Sequence, residues 1–111
     1  MNVLSKPRFE KAAEQHPTDR AGLDRVYKLL KEANPGSFQD LKSIFGGNLD
    51  LFKPRAAANW VVIDVGGNNL RLVGAVDYGR QFFYTKHIYT HAQYDKANAW
   101  YSNPKNTGTK P

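Results

Sequence analysis

The chain has 111 residues, 16 Lys and Arg against 10 Asp and Glu, three His, no Cys and 41% apolar residues, which fits one small domain and excludes a disordered chain. The missing cysteine rules out a disulfide scaffold, a thiolate nucleophile and a Cys-ligated metal centre, leaving chemistry to His, Tyr, Asp, Glu, Lys and Arg. The formal charge of +6 favours a polyanionic or acidic partner over a generic solubilising surface only weakly, and no run approaches the ~20 apolar residues of a membrane span, so a cytoplasmic protein is expected.

In chain order, helical signals come first. Ser5 is a plausible N-cap, Pro7 fits a first turn, and Phe9, Ala12 and Ala13 make a short apolar stripe before Pro17 stops it. Thr18 or Asp19 opens a second helix whose Leu23, Val26, Tyr27 and Leu30 lie at i, i+3, i+4 and i+7, and Asn34-Pro35-Gly36 closes it. Ser37 with Asp40 resembles a capping box for a third helix through Phe38, Leu41 and Ile44, with Gly46-Gly47 as its stop.

Beyond residue 50 the pattern turns to strands. Trp60–Val65 is rich in β-branched residues, Gly66 to Asn69 reads as a hairpin turn, Leu70–Tyr78 is the next strand, and Gln81–Thr90 follows the turn at Gly79-Arg80. These three strands predict an antiparallel meander. Thr90 with Gln93 predicts a capped C-terminal helix from His91 to about Asn98. Residues 102–111 hold no large apolar side chain and are expected to form a flexible polar tail after a single domain of residues 1–101. Helices followed by strands predict an α+β fold, with helices on one face of a small sheet and the other face open for binding.

Titratable groups gather in Lys86-His87-Ile88-Tyr89-Thr90-His91-Ala92-Gln93-Tyr94-Asp95-Lys96. On a helix starting at His91, the side chains of His91, Tyr94 and Asp95 share a face, so Asp95 is placed to orient an imidazole that exchanges protons near neutrality. A capping or surface histidine fits the same spacing. Arg71 interrupts the apolar strand Leu70-Arg71-Leu72-Val73 on the face opposite its leucines, either as an ion-pair partner of Asp64 or Asp77 or as a bidentate phosphate ligand. His87, His91 and Asp95 lack the spacing of a metal-ligand frame, and Gly66-Gly67-Asn68 is too short to cradle a dinucleotide. No metal or cofactor is expected. Lys53 and Arg55 form a small basic loop.

Taken together, Gly67-Asn68-Asn69-Leu70-Arg71-Leu72 and, one hairpin later, the Lys86–Lys96 segment resemble the HigB-type toxins of bacterial type II toxin–antitoxin systems. The likeness covers roughly residues 1–98. It implies a RelE-like fold and metal-independent cleavage of messenger RNA on the ribosome, silenced by a helix-turn-helix antitoxin of the HigA type. By the same resemblance Arg71 is the phosphate and transition-state partner, His91 a general acid or base and Tyr94 a stacking or relay residue. Lys86 adds charge beside the phosphate. Asn68 and Lys96 fall in the two motifs and join Lys53 and Arg55 as expected RNA contacts. Many members of the family carry a basic residue where this chain has Asn69, so the phosphate site here is expected to be less charged. Two readings from other classes share the charge and the aromatics: a non-catalytic RNA-binding or ribosome-associated module, and an interaction domain for an acidic protein.

Overall fold

The computed structural model describes residues 1–67 and 69–106. A short strand β1 (Asn2–Leu4) leads into α1 (Lys6–Gln15), a turn of 3₁₀ helix at Pro17–Asp19, α2 (Arg20–Glu32) and α3 (Phe38–Phe45). After β2 (Leu49–Leu51) and a 3₁₀ segment over Lys53–Ala58 come β3 (Trp60–Val65), β4 (Leu70–Asp77), β5 (Phe82–Thr90) and α4 (His91–Ser102). The described strands form one five-stranded sheet in the order β1-β5-β4-β3-β2, antiparallel except for β1 against β5.

The predicted α+β architecture and meander are present. The two outer strands were not anticipated, because three residues hold no readable period. The helix starts differ in detail. Ser5 stands at the start of α1 with a left-handed backbone and no side-chain cap, and Asp19 precedes α2 likewise without one. Ser37 does accept from the Asp40 amide at 3.3 Å, while the Asp40 carboxylate accepts from the Gly36 amide instead of closing the box.

Alternation along the strands sorts side chains onto two faces. Val61, Ile63, Val65, Leu70, Leu72 and Phe83 point into the main core, where Phe9, Ala12, Leu23, Val26, Leu30 and Leu41 from the first three helices meet them. Gly74 is a necessary gap in that face, since a Cβ there would lie 2.3 Å from the Phe83 ring. The second face departs from expectation: it is not open. Phe52, Trp60, Val62 and Val73 form a separate buried cluster with Ala97 and Tyr101 of α4. Phe52 meets Tyr101 edge to face with ring centroids 5.4 Å apart, and Trp60 meets it at 5.5 Å. A helix one turn longer than the sequence suggests is needed to carry Tyr101 into that cluster.

The β3–β4 turn is pinned to the helical layer. The buried carboxylate of Asp19 accepts from Asn69 Nδ2 at 3.0 Å and packs so closely on Gly66, whose φ is +63°, that a Cβ there would meet its oxygen at 2.4 Å. Asn69 therefore serves the fold, tying the start of β4 to the start of α2. The predicted RNA contact Asn68 lies outside the described residues. Among residues 102–106 of the expected tail, Ser102 still belongs to α4 and Asn106 bonds back to it, its Nδ2 donating to the Trp100 carbonyl at 2.8 Å.

Candidate active site

The second core covers only part of its sheet face. Where β4 begins, β5 ends and α4 starts, the face turns polar. Asp64 and Arg71 are register partners across β3 and β4, and Arg71 and Tyr89 are partners across β4 and β5, so the three residues lie side by side on the α4 face of the sheet.

Arg71 organises the group. Its Nη1 donates to Asp64 Oδ1 at 2.7 Å, and the pair is largely shielded, with 13% and 27% of the two side chains exposed. Its Nη2 lies 3.0 Å from His91 Nε2. A guanidinium only donates, so Nε2 accepts and the imidazole proton sits on Nδ1. That second nitrogen faces Asp95 Oδ2 at 3.9 Å, one helical turn on. This is an ion-pair distance and too long for a hydrogen bond. The Arg71 guanidinium carbon also stands 5.7 Å from the centre of the Tyr94 ring, a cation–π arrangement that keeps both groups together.

Helix α4 delivers two of these side chains because its start is fixed. Thr90 Oγ1 accepts from the Gln93 amide at 3.3 Å and Gln93 Oε1 accepts from the Thr90 amide at 2.9 Å, the reciprocal capping box that the sequence predicts. His91 thus occupies the first helical position, 60% exposed, and Tyr94 follows at i+3 on the same side. Tyr94 is held from two directions: Asn98 Nδ2 donates to its hydroxyl at 3.3 Å and Phe52 packs edge-on against its ring. The sequence reading missed Asn98, although its i+4 spacing from Tyr94 is a usable signal.

Arg71, His91, Tyr94 and Asp95 are thus brought together, and Asp64, not Asp77, is the ion-pair partner of Arg71; Asp77 pairs with Arg80 at 3.9 Å. Lys86 is not brought to this cluster. The pairing of β4 with β5 shifts between Val73 and Gly74, which leaves Lys86 as the extra residue of a bulge. Its Nζ stands 5.5 Å from the Trp60 ring and 5.8 Å from the Tyr84 ring. Trp60 lies four residues up β3 from Asp64, about 13 Å at ~3.3 Å per residue. His87 is also apart, with Nε2 3.0 Å from the Tyr101 hydroxyl and its ring stacked on Tyr89 at 4.7 Å.

Of the basic loop, Lys53 is exposed, as is Lys96 on α4. Arg55 is structural: its guanidinium donates to the carbonyls of Pro54, Tyr101 and Asn106 and covers the Tyr101 ring, tying the loop to the end of α4. Three phenols are pushed above their ordinary range by burial, those of Tyr78, Tyr89 and Tyr101; the nearby Tyr101 also raises Tyr89, and the Arg8 cation opposes the shift. Among the described residues no three His, Asp or Glu side chains converge as metal ligands, and no helix is long and apolar enough to cross a membrane.

Residues 19–97 match the family model for HigB toxin, described as the RelE-like toxic component of a toxin–antitoxin system. The chain is 38% identical over 105 residues to the mRNA interferase HigB of Escherichia coli O6:H1, covering 95% of this chain and 99% of that protein. It is 30% identical over 95 residues to the mRNA interferase toxin HigB of Escherichia coli K12, covering 86% of this chain and 88% of that one. With a family match that spans both motifs and the whole Arg71–His91 cluster, the chain belongs to the HigB family of RelE-like toxins.

Proposed function

We propose that this toxin is an mRNA interferase, an endoribonuclease that cuts messenger RNA at the Arg71–His91–Tyr94 cluster. The observation that carries the reading is the double grip of Arg71, which holds Asp64 with one nitrogen and His91 Nε2 with the other. In transesterification the ribose 2′-oxygen attacks the adjacent phosphorus, the bond from phosphorus to the 5′-oxygen breaks, and the products carry a 2′,3′-cyclic phosphate and a 5′-hydroxyl. The step needs a proton acceptor, a cation for the charge that builds on the phosphoryl oxygens, and a proton for the departing oxygen.

His91 is assigned as the acceptor. A phosphate entering the site takes over the Arg71 Nη2 donor, which frees the Nε2 lone pair for the 2′-hydroxyl proton, and Asp95 then steadies the imidazolium across 3.9 Å. Arg71, aimed by Asp64, neutralises the phosphoryl oxygens. Tyr94 gives the ring platform, and its hydroxyl passes its own proton to the leaving 5′-oxygen and regains one from solvent, with Asn98 Nδ2 donating to the hydroxyl oxygen. No step is assigned to a metal ion. Lys53 and Lys96 supply outlying positive charge to the RNA, and Lys86 is left with a structural place over Trp60.

As the toxic component of a toxin–antitoxin system, the chain has an antitoxin partner. We further propose that this partner is of the HigA helix-turn-helix type and that the RNA is cut on the ribosome in the cytoplasm. The test is to incubate the purified toxin with ribosomes translating a defined message and to analyse the cut ends. The expected result is a 5′-hydroxyl fragment, with cutting abolished by a 2′-deoxy substitution at the cut nucleotide. Binding without cutting, or cutting that survives the 2′-deoxy substitution, contradicts the reading.

A further inference from the structure

A basic cleft lies one strand away from Arg71. Strand β1 pairs only with Phe82–Tyr84, so among the described residues the outer edge of β5 from Thr85 onward has no strand beside it. Helix α1 flanks that edge, and between them is a cavity of about 190 Å³ lined by Arg8, Lys11, Gln15, His87, Ile88 and Tyr89, with Ala12 at its floor. Arg8, Lys11 and Gln15 stand at i, i+3 and i+7 on α1, one stripe of the helix facing the strand. All three are exposed, and among the described residues neither cation has an ion pair within 4.0 Å, unlike Arg71 and Arg80.

The opposite wall is His87, Ile88 and Tyr89 of β5. The His87 and Tyr89 rings stack on one another with centroids 4.7 Å apart. Two exposed cations lining one cleft with a stacked pair of rings have the chemistry of a single-stranded nucleic-acid groove, where cations follow the backbone and rings meet bases. Continuity with the cleavage cluster is direct, because Tyr89 is the register partner of Arg71 and also lines this cleft.

We propose that the cleft between α1 and the uncovered edge of β5 is an RNA subsite, in which Arg8 and Lys11 bind backbone phosphates beside the one being cut and the His87–Tyr89 pair supports a neighbouring base. The assignment rests on the reading of the Arg71–His91 cluster as the cleavage site. It explains why, among the described residues, α1 presents two cations without an ion pair at this point and the strand edge has no covering strand.

The test is an NMR titration of the His91→Ala protein, in which cutting is expected to be slowed by about 10²-fold or more, with a short single-stranded RNA at two salt concentrations. The expected result is RNA-dependent shifts of the Arg8–Gln15 and His87–Tyr89 amides. Placing Arg8→Gln and Lys11→Gln in the same protein should weaken binding at least about tenfold at low salt and lower the slope of log affinity against log salt by about 1.4, the value for two lost single-strand phosphate contacts. The charge-matched pair Lys28→Gln and Arg80→Gln, on side chains 77% exposed, should leave that slope unchanged.

Shifts confined to the surroundings of Arg71 and Tyr94, no shifts at all, or equal slopes for the two pairs overturn the subsite, even where the unsubstituted toxin cuts RNA. Shifts in the cleft, where the unsubstituted toxin never cuts RNA, keep the subsite and overturn the cleavage reading. Loss of antitoxin binding in the Arg8/Lys11 variant, with its RNA shifts intact, overturns the assignment in favour of a protein partner.

Discussion

Arg71 is the residue on which the site turns, because a guanidinium in the middle of an apolar strand must be compensated. Asp64 does this at 2.7 Å in a position with little solvent, where a charged hydrogen bond contributes more than at the open surface. Asp64→Asn keeps the shape and removes the charge, and is expected to lower stability by about 1–3 kcal/mol in urea unfolding and to slow cleavage by misdirecting Arg71. The substitution leaving both quantities unchanged would show that Asp64 does not position Arg71. The sequence offered Asp64 and Asp77 equally as partners; only the hairpin register, with Val65 opposite Leu70, decides between them. His91, Tyr94 and Asp95 were readable as one group because they follow each other on a single helix. Lys86 lies outside that helix, and the bulge that turns it towards Trp60 leaves no mark in composition or spacing.

At the scale of elements, α4 has two tasks. Its first turn presents His91 and Tyr94, and its later turns close the second core with Ala97 and Tyr101. The capping box therefore couples stability to the position of the imidazole: Thr90→Ala is expected to cost about 1 kcal/mol and to reduce cleavage more than that loss of folded protein explains, measured as cleavage rate per folded molecule. A rate fully restored by correcting for the folded fraction would limit Thr90 to a structural role. The covered second face was legible in principle. Trp60–Val65 is almost continuously apolar, which signals burial on both faces of a strand, whereas alternation would signal one. The α+β rule of helices on one side outweighed that signal, and the missing element was the second half of α4, which carries Ala97 and Tyr101 into the second core.

For the whole molecule, two cores back to back hold the sheet between the first three helices and α4, with the Arg71–His91 cluster beside the second core. Folding also depends on phenols that stay neutral. Tyr78, Tyr89 and Tyr101 have folded-state pKa values raised by burial, so the unfolded chain loses these protons first as pH rises through ~10. Their contribution is fully present below that pH and is lost above it, as pH rises towards the folded values. The urea midpoint is expected to fall steeply from about pH 10 upward, with each such phenol contributing up to ~1.4 kcal/mol per pH unit, and Tyr89→Phe should flatten the fall. An identical slope in that variant would mean that Tyr89 ionises as freely in the folded protein as in the unfolded chain.

The central claim is that one constellation, Arg71 with His91 and Tyr94, cuts RNA. It is tested most directly by mapping transcript 5′ ends in bacteria after induction of the intact toxin, Arg71→Ala and His91→Ala, with folding and expression confirmed. The account predicts growth arrest and new 5′ ends in translated messages for the intact toxin, and rates lower by about 10²-fold or more for each variant. Equal cutting by all three folded proteins, or arrest without any new ends, would contradict it.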